Sequence, residues 1–362
     1  MIRGLVAAAA LLATATTASA GGIERTPQSV AILFEPGTRV ELSFSHVSPR
    51  VTGRAFGTRS GDVIRSHNTL GFAMKFPLAE GLDAAVILDQ PIGASTRYPS
   101  GTDYILAGTF ATINSSALTV LLNYRIDGGF SVHGGLRALR TDGSARVRVA
   151  GAFDYRMRVE PDTALGYVVG VAWERPDIAA RVSLTYNSRI RHKFDATERA
   201  DVLGNVPVKD SFRTTIPESV NLEFQTGVAP DTLAFGSIRW VRWSQFDIDP
   251  ELYQELADDP LAFYDSNTVT YSLGLGRRFD ETWSGAVTAV FEPRTRDRMG
   301  NLGPVDGRRG LGGALTWTEG GVSITGGVQY FRIGNTTTRP PIEGRFRDNS
   351  GWAAGLRLGF EF

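Results

Sequence analysis

The strict alternation of short and long connections along this chain constrains its fold more than any other feature of the sequence. Six connections are turns of two to four residues rich in Gly, Pro, Asp or Glu, such as Asp127-Gly128-Gly129. The other seven are long and cover residues 54–64, 90–113, 143–162, 192–215, 246–266, 293–307 and 334–350. Short turns on one side and long loops on the other are typical of bacterial outer-membrane β-barrels, and a soluble sandwich has no reason to alternate so regularly.

The segments between these connections alternate polar and apolar residues with a period of two. Side chains point to opposite faces along a strand, so this pattern predicts strands rather than helices. Fourteen strands are predicted, at 39–53, 65–77, 81–89, 114–127, 130–142, 163–175, 177–191, 216–227, 231–245, 267–279, 281–292, 308–318, 321–333 and 351–362. In the ninth, the apolar parity changes between Phe235 and Ile238, which predicts a bulge near Gly236.

The last predicted strand shows the two faces that a membrane barrel needs. Trp352, Leu356 and Phe360 fall on one face, which suits hydrocarbon, whereas Arg357 falls on the other with small residues. All six tryptophans lie near predicted strand ends: Trp173, Trp283 and Trp317 beside short turns, and Trp240, Trp243 and Trp352 beside long loops. This placement predicts one aromatic girdle at each membrane interface. The predicted fold class is therefore all-β, a transmembrane antiparallel β-barrel of 14 strands over residues 39–362.

Two segments precede the predicted barrel. Residues 1–20 begin with a positive charge at Arg3, continue without charge, and end in Ala18-Ser19-Ala20, which is typical of a cleaved signal peptide. Residues 21–38 contain the apolar run Val30-Ala31-Ile32-Leu33-Phe34. This run predicts an N-terminal hatch that plugs the lumen, with an extended first strand or a disordered tail as the alternatives.

Composition and motifs give no indication of an enzyme. The chain has no cysteine, and 38 basic residues balance 38 acidic ones, which excludes thiolate metal sites and leaves no footprint for nucleic acid. No H-E-x-x-H, G-x-S-x-G or P-loop motif is present. Ser131 and His133 share a face and leave a lipid-cleaving barrel as an alternative, although polar lumen lining explains them better. We therefore predict no catalytic residue, no cofactor and no metal.

Basic side chains of lumen parity are the candidate ligands for an acidic head group. Arginine pairs with a carboxylate through two parallel, charge-assisted hydrogen bonds. Arg137 and Arg357 are the predicted carboxylate partners. The alternative is that such arginines form ion networks that only brace the barrel wall.

Apolar residues outside the strands are the candidate contacts for a hydrophobic ligand. Leu33 and Phe34 of the hatch segment are predicted to contact an acyl chain. Leu261 and Phe263 lie in an apolar stretch of a long outer loop, where they predict a docking groove. Loops that pack on one another to close the barrel are the alternative.

Several stretches in their order and spacing resemble those of one family of outer-membrane transporters, and together they span nearly the whole chain after residue 38. They are Glu41-Leu42-Ser43-Phe44-Ser45, Leu70-Gly71-Phe72-Ala73 through Gln90-Pro91-Ile92-Gly93, Ala164-Leu165-Gly166-Tyr167, and Pro217-Glu218-Ser219-Val220 through Trp243-Ser244-Gln245-Phe246. The chain resembles the FadL-type transporters of long-chain fatty acids and other hydrophobic compounds.

The resemblance implies a hatch in the lumen, a first ligand groove among the outer loops, an inner site, and a sideways exit at a kinked third strand. In this sequence residues 21–38 would be the hatch and 81–89 the kinked strand, followed closely by Pro91 and Gly93. The family's Asn-Pro-Ala hatch motif is not present, and Thr26-Pro27-Gln28 is the nearest match.

The predicted function is passive transport of long-chain fatty acids or related hydrophobic compounds across the bacterial outer membrane. We expect a monomer surrounded by outer-membrane lipid and lipopolysaccharide, with a hydrophobic small molecule as its ligand and no nucleic acid partner. The alternative is a structural or adhesive outer-membrane barrel whose lumen is permanently filled.

Overall fold

The computed structural model describes residues 23–362, which form a closed antiparallel barrel of fourteen strands. The predicted signal peptide and the first two residues of the predicted hatch lie outside the described residues. The barrel strands are β1 (Arg39–Arg50), β2 (His67–Ala79), β3 (Leu82–Asp89 and Ala94–Arg97), β4 (Phe110–Arg125), β5 (Phe130–Val149), β6 (Phe153–Arg175), β7 (Ala180–Asn187 and Ile190–Ala200), β8 (Val208–Ile216 and Ser219–Ala229), β9 (Thr232–Val241), β10 (Thr268–Arg278), β11 (Trp283–Glu292), β12 (Arg308–Glu319), β13 (Val322–Ile333) and β14 (Ser350–Glu361).

The barrel closes because the first and last strands pair with each other. β1 and β14 pair along their whole length, from Arg39 opposite Glu361 to Arg50 opposite Ser350. Closure pairs the edges of the first and last strands, which would otherwise expose unpaired backbone groups to lipid at a high cost. The outward face is apolar, with Leu165 and Leu311 69% and 70% exposed. The predicted fold class is confirmed.

Four strands are longer than the sequence predicts. The connections predicted at 143–162 and 192–215 are largely strand, because β5, β6, β7 and β8 continue past the membrane and pair with one another. Their outward side chains in this part are charged, as at Arg191, Lys193 and Asp195. An aqueous surface replaces lipid there, so the apolar alternation that marks the membrane part of each strand is lost.

The outer loops form a compact cap over the barrel. Strands Thr52–Ala55, Thr58–Asp62, Thr336–Thr337 and Arg345–Phe346 form a four-stranded sheet, and Tyr98 stacks on Tyr104 beneath it with ring centroids 5.4 Å apart. A second loop forms a two-stranded sheet from Asp247–Ile248 and Ala262–Phe263, and carries helix α1 (Glu251–Ala257) between them. No helix among the described residues is long and apolar enough to cross a membrane.

Two details of the predicted faces are wrong. Trp243 lies inside the barrel, 1% exposed, and not in an outer girdle, because it packs on Phe246 and Tyr264. The predicted bulge near Gly236 is absent, since β9 pairs with β10 in one continuous register. Leu233 and Phe235 therefore face the lumen, where they form a small apolar cluster with wall residues.

The segment before β1 lies within the lumen. Residues Ala31–Phe34 form one turn of 3₁₀ helix, and Val30 and Leu33 pack against the inward-facing Ala85, Leu121 and Val168. Lower down, the ammonium group of a wall lysine, Lys75, donates a 3.0 Å hydrogen bond to the carbonyl oxygen of Gly37. Apolar packing and wall hydrogen bonds thus hold the segment inside the barrel.

Candidate ligand chamber and side opening

The upper half of the lumen contains an apolar chamber. Its cavity volume is about 140 Å³. Pockets for drug-sized ligands span roughly 300–1,000 Å³, so the chamber as it stands holds only part of an extended hydrophobic molecule. Its large apolar wall residues include five from β6, β7 and β8: Met157, Val159, Phe194, Phe212 and Ile216.

The roof of the chamber comes from the outer loops. Phe246, Leu261, Phe263 and Tyr264 of one loop face Leu302 and Val305 of the next. The guanidinium carbon of Arg339, on a third loop, lies 3.7 Å from the centroid of the Phe263 ring, and Arg339 also pairs with Asp265 at 2.7 Å. A cation held over an aromatic face stabilises such a contact. Three loops therefore hold the roof in place together.

The chamber also has polar lining residues, among them Asp142, Ser144 and Thr214. Arg25, Arg65 and His67 line it next to β3. Across the lumen, Thr141 lines it and lies 3.3 Å from His192 Nε2, whose Nδ1 lies 2.7 Å from Asp162 Oδ2. His192 itself is completely covered, so this cluster presents a single hydroxyl group to the chamber.

The N-terminal segment forms the floor of the chamber through Ile23 and Arg25. Polar wall residues hold it by contacts that span most of its length. Arg239 Nε donates to both carboxylate oxygens of Glu24 at 2.9 and 3.0 Å. Ser29 Oγ donates to Glu223 at 2.6 Å, and Thr26 Oγ1 donates to Asp89 at 2.7 Å. The floor is thus fixed by buried charge-assisted bonds, which are stronger than neutral ones.

Strand β3 is interrupted where it meets this floor. Residues 90–93 leave the sheet, and the strand resumes at Ala94 opposite Ile113 of β4. Pro91 cannot donate to a neighbouring strand. Instead its carbonyl accepts from the backbone N–H of Arg25 at 2.7 Å, and the N–H of Gly93 donates to Ile23 at 2.7 Å. The interrupted part of the strand pairs with the segment inside the barrel.

The interruption leaves an opening in the wall between β2 and β3. Pairing between these strands begins at Phe72, so residues 67–71 of β2 pair only with β1. The N–H of Leu70 donates to the side-chain oxygen of Gln90 at 3.2 Å instead of to a neighbouring backbone. A hollow with a cavity volume of about 130 Å³ lies at this place, lined inside by residues 26–29 and outside by the lipid-facing Phe44 and Leu88.

The structure brings some of the predicted ligand residues together and separates others. Leu261 and Phe263 line the chamber roof. Arg357 lines the side hollow, where Glu41 lies 3.4 Å from it. Arg137 is buried in the wall and donates to Thr119 and Asn187 at 2.8 and 2.9 Å. The ligand roles of all of these residues stay predictions.

The two predicted hatch contacts lie below the chamber. Leu33 is 2% exposed and packs on the wall. The ring of Phe34 lies under the guanidinium group of Arg181, 4.7 Å from its central carbon. Neither residue lines the chamber, so their predicted contact with an acyl chain applies to the lower part of the lumen.

His133, on which the lipid-cleaving alternative depends, lies within hydrogen-bonding distance of Thr185 and not of Ser131. His133 Nε2 lies 2.9 Å from Thr185 Oγ1, and the ring of Phe34 meets the imidazole edge-on. No hydrogen bond joins His133 to Ser131 within residues 23–362. The described part of the chain also contains no group of three or more His, Asp or Glu residues placed to hold a metal ion.

Sequence reasoning missed the wall of the chamber. Met157, Phe194 and Phe212 fall in stretches that were predicted to be loops. They alternate with charged residues, as in Arg156-Met157-Arg158 and Lys193-Phe194-Asp195. That alternation indicates a strand with water outside and an apolar interior, the inverse of a lipid-exposed strand. This pattern could have identified the three residues as strand residues that face the lumen.

A closed 14-stranded barrel with an apolar chamber in its lumen defines the class of outer-membrane channels for hydrophobic compounds. Residues 38–289 match the sequence profile of the family described as outer membrane protein transport protein (OMPP1/FadL/TodX). The match covers more than half of the chain, and the chain belongs to this family. No curated protein sequence matches it significantly.

Solved structures of similar proteins have the same fold at low sequence identity. A Pseudomonas aeruginosa FadL homologue is 13% identical, with a TM-score of 0.77, and the match covers 100% of this chain and 98% of that one. The P. putida toluene transporter TodX is 10% identical, with a TM-score of 0.68 and 92% of each chain covered. The Ralstonia pickettii toluene transporter TbuX is 11% identical, with a TM-score of 0.65, 96% of this chain and 97% of that chain covered.

Proposed function

We propose that this barrel carries long-chain fatty acids or related hydrophobic molecules across the outer membrane by passive diffusion. The molecule binds in the chamber under the outer loops and leaves sideways through the opening beside the interrupted β3. The observation that carries this proposal is that one segment, residues 23–29, forms both the floor of the chamber and the inner lining of the side hollow.

The physical task explains both cavities. A hydrophobic solute does not cross the polar saccharide layer of the outer membrane unaided, and the chamber offers it apolar surface in exchange for water. A passage that ends at Phe44 and Leu88 delivers the solute to hydrocarbon without a step through water. Such movement runs down a concentration gradient and needs no energy input.

A fatty acid is the proposed cargo because the chamber combines apolar walls with basic groups at one side. Arg25 and Arg65 line the side that adjoins β3, where a carboxylate is received by charge-assisted bonds. An aromatic hydrocarbon is the second candidate. The neighbouring rings of Phe194 and Phe212, 5.8 Å apart, favour it, as does the transport of toluene by TodX and TbuX.

The remaining parts take roles that fit this transport. Residues 1–20 direct export and are removed, and residues 21–38 act as the hatch. Leu33 and Phe34 contact the acyl chain, and Arg137 and Arg357 hold a carboxylate, once the hatch has moved and the cargo passes below the chamber. The protein works as a monomer surrounded by outer-membrane lipid and lipopolysaccharide.

The test is uptake of radiolabelled oleic acid by cells that lack their own fatty-acid transporter and express this chain. The double variant Leu261→Ala/Phe263→Ala removes two apolar contacts from the roof, and we expect roughly a tenfold loss of uptake. The matched control is Phe56→Ala/Leu203→Ala, which removes two exposed outer-loop residues that do not line the chamber. Equal uptake by the two double variants would contradict the proposal.

A further inference from the structure

The outer rim of the barrel carries paired arginines on its lipid-facing side. The register places Arg309 of β12 directly opposite Arg332 of β13, and Phe291 of β11 opposite Arg309. Both arginines share outward parity with Leu311 and Tyr330, which are 70% and 53% exposed. Arg309 and Arg332 are therefore the first polar residues above the apolar band, at the outer membrane interface.

This arrangement is unfavourable unless an anion accompanies it. Residues directly opposite on antiparallel strands have Cβ atoms about 4.5–5.5 Å apart, and like charges at that distance destabilise the pair. Tyr330 lies two residues from Arg332 on the same outward face, and its side chain carries no carboxylate to balance the arginines. Within residues 23–362 neither arginine forms a salt bridge, whereas Arg308, which faces inward beside them, is paired with Glu292.

The loops above the pair add to the positive charge. Two hollows that share Arg294 lie over it, between the β11–β12 loop and the β13–β14 loop. Eight arginines and four acidic residues line them: Arg294, Arg296, Arg298, Arg308, Arg309, Arg332, Arg345 and Arg347, with Glu292, Asp297, Glu343 and Asp348. Three of these arginines are already paired: Arg308 with Glu292, Arg298 with Glu343, and Arg294 with Asp306, which lies beside the hollows. The chain as a whole has a net charge of zero, so the excess of positive charge in these hollows is local.

We propose that Arg309 and Arg332, with the arginines of the hollows above them, form a binding site for the phosphorylated glucosamine head group of lipopolysaccharide. Arginine pairs bidentately with phosphate, and several arginines around one hollow suit a ligand with more than one phosphate group. Basic pockets at the level of the lipid head groups are a recurrent means of binding anionic lipid.

The apolar surface below the arginines distinguishes this ligand from a free anion. The same outward face carries four exposed apolar or aromatic residues, two or four residues along the strands toward the membrane centre: Leu311, Val328, Tyr330 and Trp352. Acyl chains attached to the head group pack on this surface while the phosphates meet the arginines. Inorganic phosphate uses only the upper half of such a site.

The site rests on the outer-membrane location of the proposed function but not on its cargo. Arg309 and Arg332 point outward, on the opposite face of the wall from Phe331 and Ile333, which line the chamber. A variant of the site therefore leaves hydrophobic cargo binding unchanged. Conversely, a wild-type protein that retains lipopolysaccharide but binds no cargo would contradict the proposed transport and leave this inference intact.

The experiment measures lipopolysaccharide retained by the purified full-length protein in detergent, by native mass spectrometry and by titration with added lipopolysaccharide. The variant is Arg309→Gln/Arg332→Gln, and each single variant is measured as well, in case the double one folds poorly. Arg277→Gln is the matched control, because Arg277 is also an exposed outward arginine but lies at the inner end of β10, next to the short turn. Folding is checked by the heat-dependent shift of the barrel on a gel.

We expect wild type and Arg277→Gln to bind lipopolysaccharide equally and the double variant to bind roughly tenfold more weakly, as two charge-assisted contacts are lost. Lipopolysaccharide stripped of its phosphates binds wild type with the same loss. Unchanged binding by the double variant, or by both single variants if the double one does not fold, would overturn the inference. So would equal binding of phosphatidylglycerol or inorganic phosphate by wild type, which would show a general anion site.

Discussion

The backbone N–H of Arg25 donates a hydrogen bond of 2.7 Å to the carbonyl oxygen of Pro91. This bond joins the segment that forms the chamber floor to the interruption in the barrel wall. Gly93 completes the pair by donating to Ile23 at 2.7 Å. Because both partners belong to the chamber lining or to the side opening, displacement of one moves the other. In the proposed transport, cargo that presses on the floor would therefore act directly on the exit.

Substitution of Gly93 tests this connection. A Cβ atom at Gly93 would overlap the guanidinium group of Arg25, which must then move away from β3. We expect Gly93→Ala to push the flexible Arg25 side chain out of this contact and to lower oleic acid uptake. Gly326→Ala is the control, since nothing lies within 4 Å of the added methyl group. Uptake equal to that of the control would show that this contact is not needed.

The ion pair between Glu24 and Arg239 holds the segment in the lumen. Removing one partner of a buried pair leaves the other uncompensated, at a cost of about 3 kcal/mol or more. Glu24→Gln is expected to release the segment part of the time and to raise the ion conductance of single barrels in planar bilayers. Glu281→Gln, the same change in an exposed inner turn, should leave conductance at the wild-type value. Wild-type conductance in Glu24→Gln would mean that other contacts suffice.

A cross-link that closes the side opening tests whether the cargo leaves there, independently of whether it binds in the chamber. The chain has no cysteine, so Leu70→Cys/Gln90→Cys introduces the only thiols. The two positions lie close together, because the backbone N–H of Leu70 donates a hydrogen bond to the side chain of Gln90. A short reducible cross-linker between them is expected to abolish uptake while fatty-acid binding in detergent persists, and a reductant should restore uptake. Each single cysteine variant with the same reagent is the control. Full uptake by the cross-linked barrel would exclude this exit.

The outer cap contains a carboxyl group that makes its docking depend on pH. Glu198 lies above the membrane, where it accepts hydrogen bonds from the hydroxyl of Tyr155 and from the N–H of Tyr253 in α1. Burial raises the pKa of Glu198 and outweighs these bonds, with Asp210 adding to the shift. The docked state therefore holds its proton more tightly than the undocked state does. Docking is strongest at low pH and weakens as pH rises from about 4.5 through the raised pKa.

Hydrogen exchange of the α1 amides measures this effect. We expect protection in wild type to fall between pH 4.5 and the raised pKa of Glu198, and to stay constant in Glu198→Gln, which keeps the shape of the side chain but does not titrate. Glu255→Gln, on the exposed side of the same helix, is the control and should behave as wild type. The same pH dependence in Glu198→Gln would assign it to another group.

The membrane part of this fold could be predicted from the sequence because lipid imposes a simple pattern. Residues such as Leu273 and Leu275 must be apolar to face hydrocarbon, and their alternation with lumen residues fixes each strand and its faces. Above the membrane that constraint ends. The outer parts of β6 and β7 have charged outward residues, so their strands were predicted to be loops, and the chamber wall at Phe194 was missed.

The alternation along a strand predicts which face of the barrel wall a side chain lies on, but not which residue it contacts. Arg137 and Arg357 point inward as predicted, but their partners come from strands that are distant in sequence, Asn187 in one case and Glu41 in the other. The inward position of Trp243 follows from a loop that folds back over the lumen. Contacts of this kind depend on tertiary packing, which the local pattern of one strand does not contain.

Equilibrium binding to the purified barrel in detergent tests the central claim most directly. Radiolabelled oleic acid is compared with an alkane of equal length and with toluene, for wild type and for Leu261→Ala/Phe263→Ala. The account predicts saturable binding of the acid, tighter than that of either hydrocarbon and weaker in the variant. Tighter binding of toluene would retain the channel and change its cargo. The absence of saturable binding of all three compounds would contradict transport and favour a structural barrel with a filled lumen.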